Sequence, residues 1–185
     1  DKDIKKSLLH SFIWGFLYHI FVVFWLSQNI GTSKISAFIS MLLAIFVLCT
    51  NTIIIVAIWN RIKKYNKRIS LFLFPFIWVS IEYVRTYGIL GFPWVSIANT
   101  QLDFKYLIQN AEYTGIYGIS FWVVMINVLF YDLFYQRTVK KLYILLIFIF
   151  PWLTGYYLFN QVDKYTIENH KISIIQPNIN LFSKR

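Results

Sequence analysis

Glu82 and Arg85 stand three residues apart in an otherwise apolar stretch, WVSIEYVRTYGILGFPWVSIANTQ, from Trp78 to Gln101. Residues three apart on a helix share a face, so this carboxylate and guanidinium can pair. An ionisable side chain inside a membrane span is costly and by default marks a functional or structural polar contact. A plainer reading places both at the end of a span, with Arg85 snorkelling to the interface and capping Glu82. The two residues by themselves leave these readings equal. Just downstream, Gly91-Phe92-Pro93-Trp94 breaks the helix. Gly91 permits a turn and Pro93 biases Phe92 towards extended backbone. An irregular apolar segment at membrane depth must be buried by protein or line a cavity. An interfacial anchor, by contrast, would ask only that Trp94 sit at the bilayer surface.

Other reactive residue types offer less. Cys49 lies in mid-run beside Val47, Leu48 and Thr50, where a thiol is apolar filler and a poor nucleophile. His19 has no second His or carboxylate at metal spacing and reads as a packed, hydrogen-bonded residue. Asp132, close to Arg137 at the end of an apolar run, reads as a satisfied interfacial charge. Ser80, Ser96 and Ser120 have no His at a catalytic offset. Spacing alone yields no nucleophile, no general base and no metal site, and no cofactor is implied.

The elements that position these residues follow from composition. The 185 residues are 58% hydrophobic and 21% aromatic, with only 14% charged and a mean hydropathy of +0.56. That profile is too apolar for an ordinary soluble domain. A net charge of +10 could suggest nucleic acid, but the cations fall between apolar runs rather than on one soluble face. They act as topology signals, and no nucleic-acid partner is expected. One cysteine excludes an internal disulfide framework. The start at Asp1, with no initiator Met, is expected of a chain that begins inside a longer protein, and no cleavable signal peptide is visible.

Five spans are expected, at 8–27, 35–59, 69–84, 115–135 and 142–159, most of them near the roughly 20 residues that cross a bilayer as helix. The third is short, and the fifth contains Pro151, where a kink is expected rather than a stop. Lys2, Lys5 and Lys6 precede span one, five cations fill 61–68, and Arg137, Lys140 and Lys141 separate spans four and five. The opposite side carries Lys34 and the mixed set Arg85, Asp103, Lys105 and Glu112. The positive-inside rule then puts the N-terminus in the cytoplasm and the C-terminus outside. Residues 86–113 become an irregular outer-face loop. The fold class is thus an all-α polytopic membrane bundle over 1–160. Beyond it, 161–185 reads as a linker and one β-branched strand, Lys171-Ile172-Ser173-Ile174-Ile175-Gln176 before Pro177, which cannot fold alone and would open an outward soluble domain.

The central motif carries a resemblance. Trp78, Glu82 and Arg85 in the spacing Trp-x-x-x-Glu-x-x-Arg, then Gly91-Phe92-Pro93-Trp94 and a downstream Gln101, resemble the bacterial apolipoprotein N-acyltransferase family. The likeness extends through Leu107-Ile108-Gln109, Gly115-Ile116-Tyr117-Gly118-Ile119-Ser120-Phe121 and Ile175-Gln176-Pro177-Asn178-Ile179. Trp14-Gly15-Phe16 and Trp25 look like part of the family's third membrane helix. Two departures stand out: no counterpart of two earlier helices, and Asn180-Leu181 where the family tends to continue with Pro-Gln and then Lys-Trp.

This resemblance implies transfer of an acyl chain from a membrane phospholipid to the N-terminal diacylglyceryl-cysteine of a lipoprotein, through an enzyme thioester. It implies a bacterial inner-membrane location and an α/β nitrilase-like domain, opened by the strand above, that carries a Glu-Lys-Cys triad. No triad member is expected in this chain, and Cys49 is not the nucleophile. The expected work of the chain is to hold lipid, with Glu82, Arg85, Phe92, Pro93, Trp94 and Gln101 as binding residues. The phospholipid donor and the diacylglyceryl lipoprotein acceptor are the implied partners. The competing reading is a non-catalytic lipid-binding or transporter-like membrane subunit.

Overall fold

The computed structural model describes residues 2–89, 91–137, 139–162 and Ser173. Every regular element among them is helical. Helix α1 (Lys2–Val23) tightens into a 3-10 turn at Phe24–Gln28, and α2 spans Lys34–Tyr65. Next come α3 (Lys67–Val84), two 3-10 turns (Pro93–Val95 and Ile97–Gln101) and the single turn α4 (Lys105–Ile108). Helix α5 (Ala111–Tyr131) ends in a π turn at Asp132–Gln136, and α6 covers Lys141–Val162. The expected strand at 171–176 lies outside the described residues, apart from Ser173.

Among the described residues, four helical stretches are long and apolar enough to cross a bilayer: Lys2–Gln28, Lys34–Tyr65, Ala111–Gln136 and Lys141–Gln161. The third of the five expected spans is a helix, but it differs in kind. α3 has 18 residues, and Lys67, Arg68 and Glu82 among them give it more charge than a lipid-facing span carries. It packs against both α2 and α5, and Glu82 is buried, while Lys67 and Arg68 at its start are exposed.

The expected basic loop at 61–68 is not a loop. Arg61, Lys63 and Lys64 continue α2, while Lys67 and Arg68 open α3, leaving Asn66 as the single non-helical residue between them. Lys and Arg are good helix formers, so a run of cations need not end a helix. Asn66 makes the corner. At φ −154° and ψ 112°, it donates its N–H to the Ile62 carbonyl at 3.0 Å. Its Oδ1 accepts from the N–H groups of Arg68 (2.9 Å) and Ile69 (3.0 Å), capping α3.

Proline does not stop α6 at Pro151. A helical proline frees the carbonyl four residues earlier, here that of Ile147. Trp122 Nε1 donates to it at 2.9 Å from α5, which is how a neighbouring helix makes a membrane proline tolerable. The apolar core centres on Val23, Met41, Ile45, Leu48, Cys49 and Val95, with Phe12, Phe16 and Phe92 packed against it. It joins α1, α2 and the chain that follows α3. Phe150, Leu153 and Tyr157 of α6 face outward and exposed, as suits a helix whose surroundings are lipid.

Candidate functional site

Glu82 sits in the last turn of α3 and is 2% exposed. Its Oε1 accepts from the Trp78 indole N–H at 3.1 Å and from the Ile97 backbone N–H at 2.8 Å. Oε2 accepts from Ser96 Oγ at 3.1 Å. The hydroxyls of Ser96 and Ser120 lie 2.9 Å apart. Since Ser96 spends its proton on Glu82, Ser120 is the donor of that pair, and Ser120 Oγ in turn accepts from the Ala98 N–H at 3.3 Å. One carboxylate therefore gathers α3, the two 3-10 turns and α5. All its partners are donors, which suits an acceptor-only group, and buried polar atoms that are satisfied in this way rigidify a site.

Arg85 caps the C-terminus of α3 and turns inward rather than snorkelling. Its side chain is 10% exposed, with Nη2 3.9 Å from Glu82 Oε1. The shorter contact is Nη2 to the Val95 carbonyl, 2.8 Å. Arg85 Nε is buried without a hydrogen-bond partner among the described residues. Burial pushes the guanidinium's pKa down and the Glu82 carboxylate pushes it up; arginine stays cationic throughout. The pair expected from the i,i+3 spacing is present, but each member does most of its bonding to the loop.

Backbone closes the turn between them. The Phe92 N–H donates to the Arg85 carbonyl at 2.9 Å, and the Gly91 N–H to that of Gly88 at 3.0 Å. A Cβ on Gly91 would lie 2.7 Å from the Thr86 carbonyl oxygen, a distance no side chain allows, so the turn requires glycine there. Phe92 takes φ −134° and ψ 85°, with Pro93 as the first residue of the following 3-10 turn, consistent with the extended bias of a pre-proline residue.

The remaining expected site residues divide. Phe92 packs on the core and Pro93 shapes the turn. Trp94 is 65% exposed, while its carbonyl accepts from Asn99 Nδ2 at 3.0 Å. Gln101 stands apart from the Glu82 network, with Nε2 donating to Thr100 Oγ1 at 2.8 Å. Ser96 and Ser120 are the members that sequence reasoning passed over as isolated hydroxyls. Only the fold brings Ser96 to the carboxylate, and Ser120 to Ser96.

Residues 86–113, expected to be irregular, hold two 3-10 turns and α4 before α5 begins. Asn110 fastens this stretch to α6: Nδ2 donates to the Pro151 carbonyl (2.7 Å), and Oδ1 accepts from Thr154 Oγ1 (2.6 Å). The rings of Tyr106 and Tyr156 meet edge-on at 5.4 Å. Elsewhere, Cys49 is fully buried in the core. His19 is also buried, and its Nδ1 lies 2.7 Å from the Gly15 carbonyl, so that nitrogen carries the proton. Asp132 is buried, and its Oδ2 accepts from the Val139 N–H at 2.8 Å. No group of three His, Cys, Asp or Glu that could hold a metal occurs among the described residues.

Comparison with known proteins adds a lineage to this geometry. A family model described as the apolipoprotein N-acyltransferase N-terminal domain matches residues 1–129. A relative named apolipoprotein N-acyltransferase from Geobacter metallireducens is 29% identical over 133 residues, covering 70% of this chain and 26% of the relative. One of the same name from Chlorobaculum tepidum is 27% identical, covering 81% of this chain and 30% of the relative. Another, from Rickettsia bellii, is 29% identical over 97% of this chain and 37% of its own length. The chain thus spans between about a quarter and somewhat more than a third of these relatives. No solved structure matches it.

Proposed function

The chain belongs to the apolipoprotein N-acyltransferase family, and from that premise we propose that it is the membrane portion of such an enzyme, the part that holds lipid. The reaction it serves moves an acyl chain from a phospholipid to the N-terminal diacylglyceryl-cysteine of a lipoprotein. It lies in the bacterial inner membrane with its N-terminus in the cytoplasm and the loop after α3 on the outer side. The cations of the α1 start, the α2–α3 corner and the α5–α6 connection mark the inner side. Covalent chemistry belongs to a Glu-Lys-Cys triad in a nitrilase-like domain, not to Cys49, which is closed in the core.

The observation that carries this reading is the contrast between Glu82 and Trp94. Glu82 is spent on holding the loop, with its acceptors occupied by Trp78, Ser96 and Ile97. Trp94 is left 65% exposed on that fixed loop, an amphipathic ring of the kind that meets lipid at the interface. Glu82 and Arg85 are accordingly positioning residues, and Trp94 is the residue that touches substrate lipid. Phe92 and Pro93 set its angle, and Gln101 lines the outer rim. A transporter-like role would need ionisable groups along mid-span. His19, the mid-span candidate, is occupied by the Gly15 carbonyl.

The test is Trp94→Ala in the full-length protein. Diacylated lipoprotein should accumulate, read as the mass of the lipoprotein N-terminus, while the enzyme keeps its expression level and melting temperature. Normal triacylation in this variant would remove Trp94 from the site. A full-length protein without acylating activity in the wild-type form would favour the non-catalytic lipid-binding subunit instead.

A further inference from the structure

We propose that the basic end of the bundle, away from the Glu82 loop, holds an anionic phospholipid, with one acyl chain in a cleft between α1, α2, α3 and α5 and its phosphate among the cations at the cleft mouth. The cleft runs from that basic end as far as Trp78 and Ile97, the two donors to Glu82 Oε1, so its inner wall backs onto the loop that carries Trp94.

The cleft has a volume of about 430 Å³ and is walled by Trp14, Ile55, Val56, Trp59, Phe74 and Val124, within the range of small-molecule pockets. A neighbouring cavity of about 340 Å³ shares Val56, Trp59 and Phe74 with it. Polar side chains in the wall mostly satisfy themselves: Ser11 Oγ bonds the Leu8 carbonyl, Thr52 Oγ1 that of Cys49, and Asn127 Nδ2 that of Val123. The exception is Trp59, whose Nε1 is buried with no partner among the described residues. A methylene chain suits the walls.

Charge sits at the mouth. Asn60 Nδ2 donates to Ser7 Oγ at 3.0 Å, tying the end of α2 to the start of α1, and the Asn66 corner brings the start of α3 to the same end. Lys5, Lys6, Arg61 and Lys63 are exposed there. Lys63 Nζ lies 4.6 Å from the centre of the Trp59 ring that walls the cleft, so cation and cavity meet at one residue. Membrane topology asks for positive charge at this end. It does not ask for an apolar cleft beneath that charge. A basic pocket between helices on the cytoplasmic side is the arrangement that recognises an anionic headgroup.

The experiment uses the full-length protein in neutral detergent, titrated with phosphatidylglycerol or phosphatidylcholine of identical chains and read by native mass spectrometry. Wild type should retain one phosphatidylglycerol at least about tenfold more tightly than phosphatidylcholine, as several nearby cations would cause. The triple variant Lys5→Gln, Lys6→Gln, Arg61→Gln should lose that preference. Arg137→Gln, Lys140→Gln, Lys141→Gln, which removes equal charge at the α5–α6 connection, should keep it. Val56→Trp, which fills the cleft, should lose the tightly bound lipid whatever its headgroup. Lipid at the outer site is common to all variants and cancels in the comparison. Equal retention of the two lipids by wild type, or equal loss in the two charge variants, would overturn the proposal. All six charge changes are at surface positions, so the comparison survives even if Val56→Trp does not fold.

Discussion

Glu82 Oε1 accepts the backbone N–H of Ile97 at 2.8 Å, across fifteen residues of chain. A carboxylate bonded to its own helix would be a cap; one bonded to a backbone amide on the far side of a turn is a clasp. Glu82→Gln should loosen that clasp, because the amide NH2 replaces an acceptor where a donor already points. Each buried donor left unpaired costs about 1–3 kcal/mol. Hydrogen exchange at Ile97 and Ala98 should rise well above that in α2, and limited proteolysis should shift to the loop after α3. Unchanged exchange at Ile97 would show that the carboxylate does not hold the loop.

Arg85 should prove more important to the loop than to Glu82. Its contact with the Val95 carbonyl is 2.8 Å and that with Glu82 Oε1 is 3.9 Å. In a double-mutant cycle, the Glu82→Gln and Arg85→Gln pair should couple by only about 1 kcal/mol, less than either single loss. Arg85→Lys should behave nearly as badly as Arg85→Gln, since the shorter lysine side chain ends before the position from which Nη2 reaches both the Val95 carbonyl and Glu82 Oε1. Full rescue by lysine, measured as the melting temperature in detergent, would show that charge alone is needed there.

These two residues also mark how far the sequence could be read. The i,i+3 spacing of Glu82 and Arg85 announced a pair, and the apolar runs at 8–27, 35–59, 69–84, 115–135 and 142–159 announced α1, α2, α3, α5 and α6, though not their full lengths. What the chain did not disclose is where the pair spends its bonds. Ser96 and Ser120 are ordinary hydroxyls, 24 residues apart, and only the fold links them to a carboxylate, Ser96 directly and Ser120 through Ser96. The Asn66 corner was hidden for a different reason. Five cations in eight residues look like a loop to topology rules, while the same residues favour helix, and local propensity prevailed. Trp94 could be named from its motif, but its exposure depends on a turn that Gly91 makes possible.

Cys49 should be inert. It is fully buried beside Ile45 and Leu48 in the core, so a membrane-permeant maleimide should label it only after denaturation. In the full-length enzyme, Cys49→Ala should leave acylation intact and cost no more than about 1–2 kcal/mol, the range of a small core truncation. Rapid labelling of the folded protein would mean that the α1–α2 core opens, and loss of acylation without loss of stability would give Cys49 a part in the reaction.

The bond from Trp122 Nε1 to the Ile147 carbonyl makes the sharpest prediction about the bundle itself. That carbonyl lacks its helical partner because residue 151 is proline, so the indole N–H is a replacement donor from the neighbouring helix. Trp122→Phe leaves an unpaired carbonyl in apolar surroundings and should cost about 0.6–2 kcal/mol beyond the change in packing. Pro151→Ala restores a backbone N–H four residues on. In that background Trp122→Phe should cost measurably less, because the carbonyl then has its own helix to bond to. The comparison needs four proteins and one thermal-unfolding assay in detergent. If Trp122→Phe costs the same with proline as with alanine, the indole contributes packing alone, and the passage of α6 through Pro151 needs another explanation.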